Sequence, residues 1–479
     1  MTTVPPNGGG LRLGIITGTS HVEVAAIDRD DEVVAAGRWE REVLMEDQSG
    51  DGLGWSTSVE HALASVVDAT ASTRIQSIVV GGTHLRETLD SRRPLARVGV
   101  LRLGAPATTA APPFAGWPDS LVRRIGGPRT IVAGGADLDG SDLAQLDEAA
   151  VIRFAKSCDG AIDAIAISGV FSPVAAAGEL RAADLVADVL GPAVPVTVSH
   201  SIGGFGLLDR ENAGILNAAL IPAGEQMVAS TRAVLTRLGI DAELFFVQND
   251  GTLQVAAAAT STPIRFLDGS LAATIRGAGW LAATSDAVVV ALESASTRAG
   301  VLRERSVALE IGPSITAGVR MNVELPLGYA LDAGSVAEAV ELMSRHAPQV
   351  PTIIVGDGAV PSAGLGRVPR YAEIAGAVGA ALAPVSAVAW EVVMAGSDEA
   401  SRIRDARQRA VDLAILAGAD PSTSEVVAVG ETDLSQMLGG ARRLRFRAEG
   451  RPFTPTTEPH HTERAEAHHQ ERQESRESP

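Results

Sequence analysis

Short apolar runs of strand character alternate with longer segments of helical spacing from Leu11 to about residue 450, and this alternation constrains the fold more than any other feature. LRLGIITG and VEVAAIDRDDEVVAAGRW read as strands of alternating apolar and polar residues, with DRDD at 28–31 closing a hairpin. GLGWSTSVEHALASVVDAT has helical spacing, and IQSIVVGG and RVGVLRLG read as strands. A layered α/β architecture follows. Beyond the Pro-rich loop GAPATTAAPPFAGWPDSL come a helix (LDEAAVIRFAKSCDG), a strand and turn (AIDAIAISGVFSP), a helix (ELRAADLVADVL) and a strand (VPVTVSH). ENAGILNAALIPAGEQMVASTRAVLTRLGI predicts long helical structure, and strands return at AELFFVQND and AVVVALES. Further on, SVAEAVELMSRHAP is a helix, PTIIVGDG a strand, and AEIAGAVGAALAPVSAVAWEVV one Ala/Gly-rich helix that must pack closely. SEVVAVGETD and ARRLRFRAEG are the last strands.

With 479 residues, 46% of them hydrophobic, the chain can bury a large core and is expected to divide into at least two units. The expected division is a flexible start at 1–10, one lobe over 11–188, a second over 189–451, and a disordered charged tail at 452–479. Aromatics make up only 3%, so Ala, Val, Leu and Ile must do the packing. The net charge of −18, with no sizeable Lys/Arg cluster, argues against nucleic acid or an anionic membrane as partner and leaves small molecules or proteins. MTTVPPNGGG has no leader character and the apolar stretches are interrupted, which predicts a soluble, cytoplasmic protein. Cys158 is the sole cysteine, excluding an internal disulfide and a Cys-cluster metal site, and it reads as an inert thiol.

Several segments stand in a familiar order: GGTH at 81–84, VLRLGAPAT followed by PPFAGWPDSL, AISGVFSPV, and VTVSHSIGGFGLLDRENAGILNAAL. FVQNDGTLQ, RGAGWL, VALEIG and TIIVGDG continue it. Over most of residues 10–450 the chain resembles the hydantoinase A/oxoprolinase family. The resemblance implies an α/β fold of the two-lobed actin-like ATPase type, partly truncated, with nucleotide between the lobes. It also implies ATP and Mg²⁺ as cofactors, opening of a cyclic amide such as hydantoin or 5-oxoproline, and a hydantoinase B-like partner subunit. A homo-oligomer stays open.

Such a fold needs Gly-rich turns whose N–H groups cradle phosphate, with carboxylates beside them for the metal. The family's first turn, D-x-G-G-T-x-T-D, corresponds to residues 16–23, where Gly18, Thr19, Ser20 and Glu23 remain as cofactor-binding candidates and Ile16 replaces the leading Asp. Its second turn corresponds to Ala291, Leu292, Glu293, Ser294, Ala295, Ser296, Thr297 and Arg298, with no glycine or Asp. The stretch after Glu310 is shorter than in the family, and the later G-G-G-S turn reads Gly356, Asp357, Gly358, Ala359. A degenerate nucleotide site is the expectation.

On the substrate side, His84, His200, Asp209, Arg210, Glu211, Asn212, Asn249 and Asp250 fall on matching segments. His84 follows a strand and His200 ends one, so both can face a cleft at strand carboxyl ends. Beside Asp209 or Asp250 these imidazoles can bind a divalent metal or move a proton. The alternative is that both cap their turns, that DREN at 209–212 is a helix N-terminus, and that NDG at 249–251 is a plain turn. The family's FSPVNPxHE has Ala175 and Gly178 here for Asn and His, its GGHEFDG has Ala136 for His, and its SHEIG has Ser201 for Glu. Ser199 beside His200 lacks a G-x-S-x-G elbow, and neighbours on a strand face opposite ways. His460, His461, His468 and His469 sit in the charged tail, solvated or loosely metal-binding. Three functions remain: an ATP-dependent cyclic-amide hydrolase subunit with eroded phosphate motifs, a non-catalytic regulatory or scaffold subunit paired with an active relative, and a nucleotide-independent metal-assisted amidohydrolase centred on His84 and His200.

Overall fold

The opening apolar run forms the strand Leu11–Thr17, buried on both faces, and the chain folds back as His21–Ile27 and Val33–Glu40. This computed structural model describes residues 10–41, 55–67, 75–294, 296–310, 312–359, 365–393, 398–433 and 442–453. The DRDD turn joins the second and third strands; Asp28 Oδ1 accepts the N–H groups of Asp30 and Glu32, and Asp31 takes the left-handed conformation. Ile75–Gly82 then lies parallel to Leu11–Thr17, and Glu243–Val247 parallel to Ile75–Gly82.

The same order recurs later in the chain. Ala287–Leu292 pairs antiparallel with Ser296–Arg303, which pairs antiparallel with Gly328–Asp332, while Thr352–Gly356 lies parallel to Ala287–Leu292. Two units thus share one plan: an antiparallel three-strand meander with the fourth strand added parallel to the first. Leu253–Val255, Val385–Val393, Arg442–Gly450 and Glu425–Asp433 extend the first unit's sheet to nine strands. A separate, wholly parallel sheet holds Gly126–Ala133, Val98–Ala105, Ala164–Gly169 and Val196–Val198.

The nine-stranded sheet takes strands from both sides of residue 188, so the expected division into 11–188 and 189–451 does not coincide with a division between sheets. Strand pairing, which is non-local, overrides sequence order. The helix Leu207–Arg237 lies beyond that boundary in sequence, yet its Ala213, Leu216 and Ala219 share a core with Leu13 of one sheet and Val98 of another, both before it.

The expected single helix in the AEIAGAVGAALAPVSAVAWEVV segment is instead a short helix, Ala375–Ala381, and a strand, Val385–Val393. Pro384 and the β-branched residues after it stop the helix. Close packing does occur there: a Cβ on Gly277 of the helix Gly269–Leu281 would lie 1.8 Å from the carbonyl of Ala375, and one on Gly14 would lie 2.0 Å from that of Ala377. The proposed tail and start fall outside the described residues, save for Gly10, Pro452 and Phe453. Among the described residues no helix is long and apolar enough to cross a membrane.

Candidate functional site

The turn between the first two strands keeps its glycine but directs its donor inward: the Gly18 N–H donates to the carbonyl of His21 at 2.8 Å. The His21 ring covers this turn, since a Cβ at Gly18 would lie 2.7 Å from it. Thr19 is exposed, and Ser20 Oγ is 3.5 Å from His21 Nδ1. His21 Nε2 lies 3.0 Å from Glu23 Oε1, and the buried Glu23 also accepts from Arg38 Nη1 at 3.1 Å and from the Ala377 N–H at 3.2 Å.

Arg38 reaches across to the second unit. It donates to the Glu373 carbonyl at 3.0 Å and pairs with the Asp357 carboxylate at 2.9 Å. Gly356, on one side of Asp357, packs so tightly on the end of Ala287–Leu292 that a Cβ would lie 2.1 Å from the Leu292 carbonyl. One arginine therefore joins the Gly18–Glu23 region to the Gly356–Gly358 turn. In the remaining turn the Glu293 N–H donates to the Ser296 carbonyl at 3.0 Å, and its carboxylate pairs with Arg298. Ala295 lies outside the described residues.

A cleft of about 420 Å³ opens elsewhere, lined by His200, Asn249, Asp250, Arg265, Asn322 and Arg443 among others. His200 follows the parallel strand Val196–Val198, and Gln248 to Asp250 follow Glu243–Val247, so carboxyl ends of strands from two sheets meet at the cleft. Residues Ser199–Ser201 form a 3₁₀ turn, not the end of the strand, so the expected alternation of Ser199 and His200 is lost. Both reach Glu179: Ser199 Oγ donates to it at 2.6 Å, the His200 N–H at 3.0 Å, and His200 Nδ1 lies 2.7 Å from it. The carboxylate fixes the ring proton on Nδ1 and leaves Nε2 for the cleft.

Beneath this dyad lies a buried polar layer. Arg210 donates to Ser199 Oγ at 2.9 Å and to the carbonyls of Gly204 and Phe205, and burial pushes its pKa down to about 10. Glu211 accepts from Arg102 Nε at 2.7 Å and from Ser168 Oγ at 2.8 Å. Asp209 pairs with Arg320 at 3.0 Å, and Asn212 accepts from Trp117 Nε1. The partner of His200 is therefore Glu179, not Asp209 or Asp250, and Glu211 is a packing counter-ion. Asn249 bridges the Ile264 carbonyl and the Asp268 N–H, while Asp250 Oδ1 closes its turn on Thr252, as the turn reading of NDG expects.

His84 begins the helix His84–Ser91, buried with its ring 5.4 Å from that of Trp55, and does not line the cleft. His84 and His200 do not meet as metal ligands. Among the described residues no group of three or more His, Cys, Asp or Glu is placed to hold a metal ion. Cys158 is buried, and burial raises its thiol pKa to about 11, in keeping with an inert thiol. The reading from sequence missed Glu179, Arg38 and Arg443. Only Glu179 carried a signal, since it is the retained Glu of the FSPVNPxHE segment.

Residues 12–190 match the hydantoinase/oxoprolinase N-terminal region. Over that stretch, somewhat over a third of the chain, it is similar to the hydantoinase/oxoprolinase family. No match was found among curated protein sequences. Among solved structures, a nucleotide-free structure from work on the mechanism of ATP-dependent acetone carboxylation by acetone carboxylase is 12% identical, with a TM-score of 0.64 over 94% of this chain and 89% of that one. The ATP-dependent caprolactamase from Pseudomonas jessenii is 14% identical, with a TM-score of 0.66 over 93% of this chain and 88% of that one. At these identities the likeness establishes the fold, which is the two-lobed actin-like ATPase fold; the repeated strand plan is its two halves.

Proposed function

We propose that this chain is a hydantoinase/oxoprolinase-family subunit that does not hydrolyse ATP, binds a small amide in the His200 cleft, and acts as the regulatory or scaffold partner of an active relative or of a hydantoinase B-like subunit. The observation that carries the reading is the tie from Arg38 to Glu23 and Asp357. A phosphate cradle presents outward-facing N–H groups, keeps bulky side chains out of its turns, and leaves the carboxylates beside them free for the metal. Here the Gly18 N–H is spent on His21, an imidazole covers the turn, and the carboxylates of Glu23 and Asp357 are both engaged by Arg38. Buried Ile16 supplies no ligand where the family has its leading carboxylate. These residues do not fit ATP and Mg²⁺, and no chemical step is assigned to them.

The lobes and their packing persist, which suits a subunit selected for shape and assembly. The Glu179–His200 dyad supports a ligand in the cleft, because a fixed Nε2 and surrounding amides can hydrogen-bond a small amide. The test is isothermal titration of the full chain with ATP and Mg²⁺. No saturable heat is expected up to millimolar nucleotide; saturable binding in that range would sink the reading and restore the ATP-dependent hydrolase.

A further inference from the structure

The helix Gly269–Leu281 packs its Ala272, Ile275 and Ala278 against Ala287 and Val289 of the second unit, while Ala375–Ala381 packs its Ala377, Val378 and Ala381 against Ala25 and Ile27 of the first. The two helices meet at Gly277 and Gly379, and beside that crossing opens a pocket of about 530 Å³. Its wall takes Arg276 and Trp280 from one helix, Gly379 and Leu382 from the other, and Leu302 and Arg305 from the hairpin of Ser296–Arg303 with Ser306–Val307. The pocket therefore spans the seam between the units. It shares no lining residue with the His200 cleft. It also lies away from the turn at 293: Leu302 stands opposite Ala287, at the start of that strand, whereas the turn follows Leu292 at the other end.

Both charged residues on the wall are arginines and no carboxylate lines it, in a chain whose net charge is −18. Arg305 is placed by the backbone: with Glu304 it forms the left-handed two-residue turn of the hairpin, and its N–H donates to the Ser285 carbonyl at 2.8 Å. Neither arginine side chain makes a hydrogen bond or an ion pair among the described residues. Nη1 of Arg276 is enclosed, while its Nε and Nη2, neither enclosed nor bonded, are the donors left for a ligand. Glu449 and Asp250 attract Arg276 only from beyond ion-pair distance, and Arg447 opposes them. Asp286, close by in the chain, is turned to the hairpin and accepts from Ser285 Oγ at 2.6 Å and from the Glu304 N–H at 3.2 Å. The rest of the wall is largely apolar: Trp280 leaves 42% of its surface open, and Leu302 and Leu382 add aliphatic surface. Unbonded guanidinium donors beside an open aromatic ring in a concave, mostly apolar pocket suit one class of ligand. We infer that the seam pocket binds an organic anion with a flat apolar body, its carboxylate on Arg276 with Arg305 adding charge, and its body on Trp280, Leu302 and Leu382. Such a ligand touches both helices of the seam, and the inference does not rest on the reading of the His200 cleft.

The experiment titrates benzoate, its uncharged analogue benzyl alcohol, and acetate into the full chain at constant ionic strength, followed by calorimetry and tryptophan emission. Benzoate is expected to saturate and to bind about tenfold or more tighter than benzyl alcohol, as the loss of a charge-assisted bond predicts. Acetate, which has the charge without the body, is expected not to saturate over the same range. Trp280→Ala, at an exposed position, is expected to weaken benzoate about tenfold, and Arg276→Gln to erase the preference for the anion. Equal binding of benzoate and benzyl alcohol by the wild type overturns the anion assignment, and acetate binding as tightly as benzoate overturns the apolar body; neither comparison depends on how a variant folds. Unchanged benzoate binding by Trp280→Ala places the probe elsewhere and overturns the seam pocket as its site. No saturable binding of benzoate overturns the inference as a whole.

Discussion

Glu179 is nearly fully buried, and burial alone pushes its carboxyl pKa up, yet hydrogen bonds from His200, Ser199 and the His200 N–H outweigh that and hold it below the usual 4.5. A group whose folded pKa is depressed stabilises the fold above its unfolded pKa, and that contribution is lost as pH falls through the folded value. Glu179→Gln brings an NH₂ donor against the N–H of either Gly169 or His200, whichever faces the replaced oxygen, so we expect a loss of about 1–3 kcal/mol at pH 7. Urea unfolding from pH 7 down to pH 3.5 should show the gap between wild type and variant narrowing below about 4.5. A gap independent of pH would mean that the carboxylate is not the charged partner described. His200 was legible from sequence as a candidate, but its partner was not: Glu179 is twenty-one residues away in the chain and meets it only because two parallel strands, Ala164–Gly169 and Val196–Val198, lie side by side. Asp209, nearer in sequence, is held by Arg320 instead.

At the scale of elements, the strands were the most legible parts, because short apolar runs rich in β-branched residues speak locally. LRLGIITG, IQSIVVGG and PTIIVGDG all became strands within a residue or two of their expected limits. The helix after residue 371 was only half legible: small residues fit helix and tight sheet alike, and Pro384 decided the boundary. What those small residues do is visible in the pair Gly269–Leu281 and Ala375–Ala381, which meet backbone to backbone at Gly277 and Gly379. Gly277→Ala would gain helix propensity in isolation, yet its Cβ would fall 1.8 Å from a backbone carbonyl that has no flexible end to move. Overpacking is therefore expected to win, destabilising the protein by roughly 1–3 kcal/mol, as read by thermal or urea unfolding. A stabilised Gly277→Ala variant would mean that the two helices are spaced more widely than described.

At the scale of the whole molecule one strand plan occurs twice, and what distinguishes this chain is how the two copies are tied. The family resemblance marked both turns that would face a nucleotide, at 16–23 and 291–298, each following a strand readable in isolation. The sequence could not reveal Arg38, because an arginine on a half-buried meander strand has no local mark of its partner, and Asp357 lies over three hundred residues away. Arg38 makes its contacts with only 13% of its side chain exposed, and Glu23 with 7%, so solvent screens this part of the network little; Asp357, at 40%, is the weaker end. Arg38→Ala removes the cation between two carboxylates. Glu23 keeps His21 and the Ala377 N–H, but Asp357 loses its ion pair with the first unit. If the tie couples the halves, backbone hydrogen exchange should quicken in Thr352–Gly356 and in Val33–Glu40 together, with a modest global cost of about 1–3 kcal/mol. Faster exchange in Val33–Glu40 alone would reduce Arg38 to a local prop of its own strand. Joint acceleration would identify the ion-pair network as the device that holds the two units closed where other members of this fold place a nucleotide.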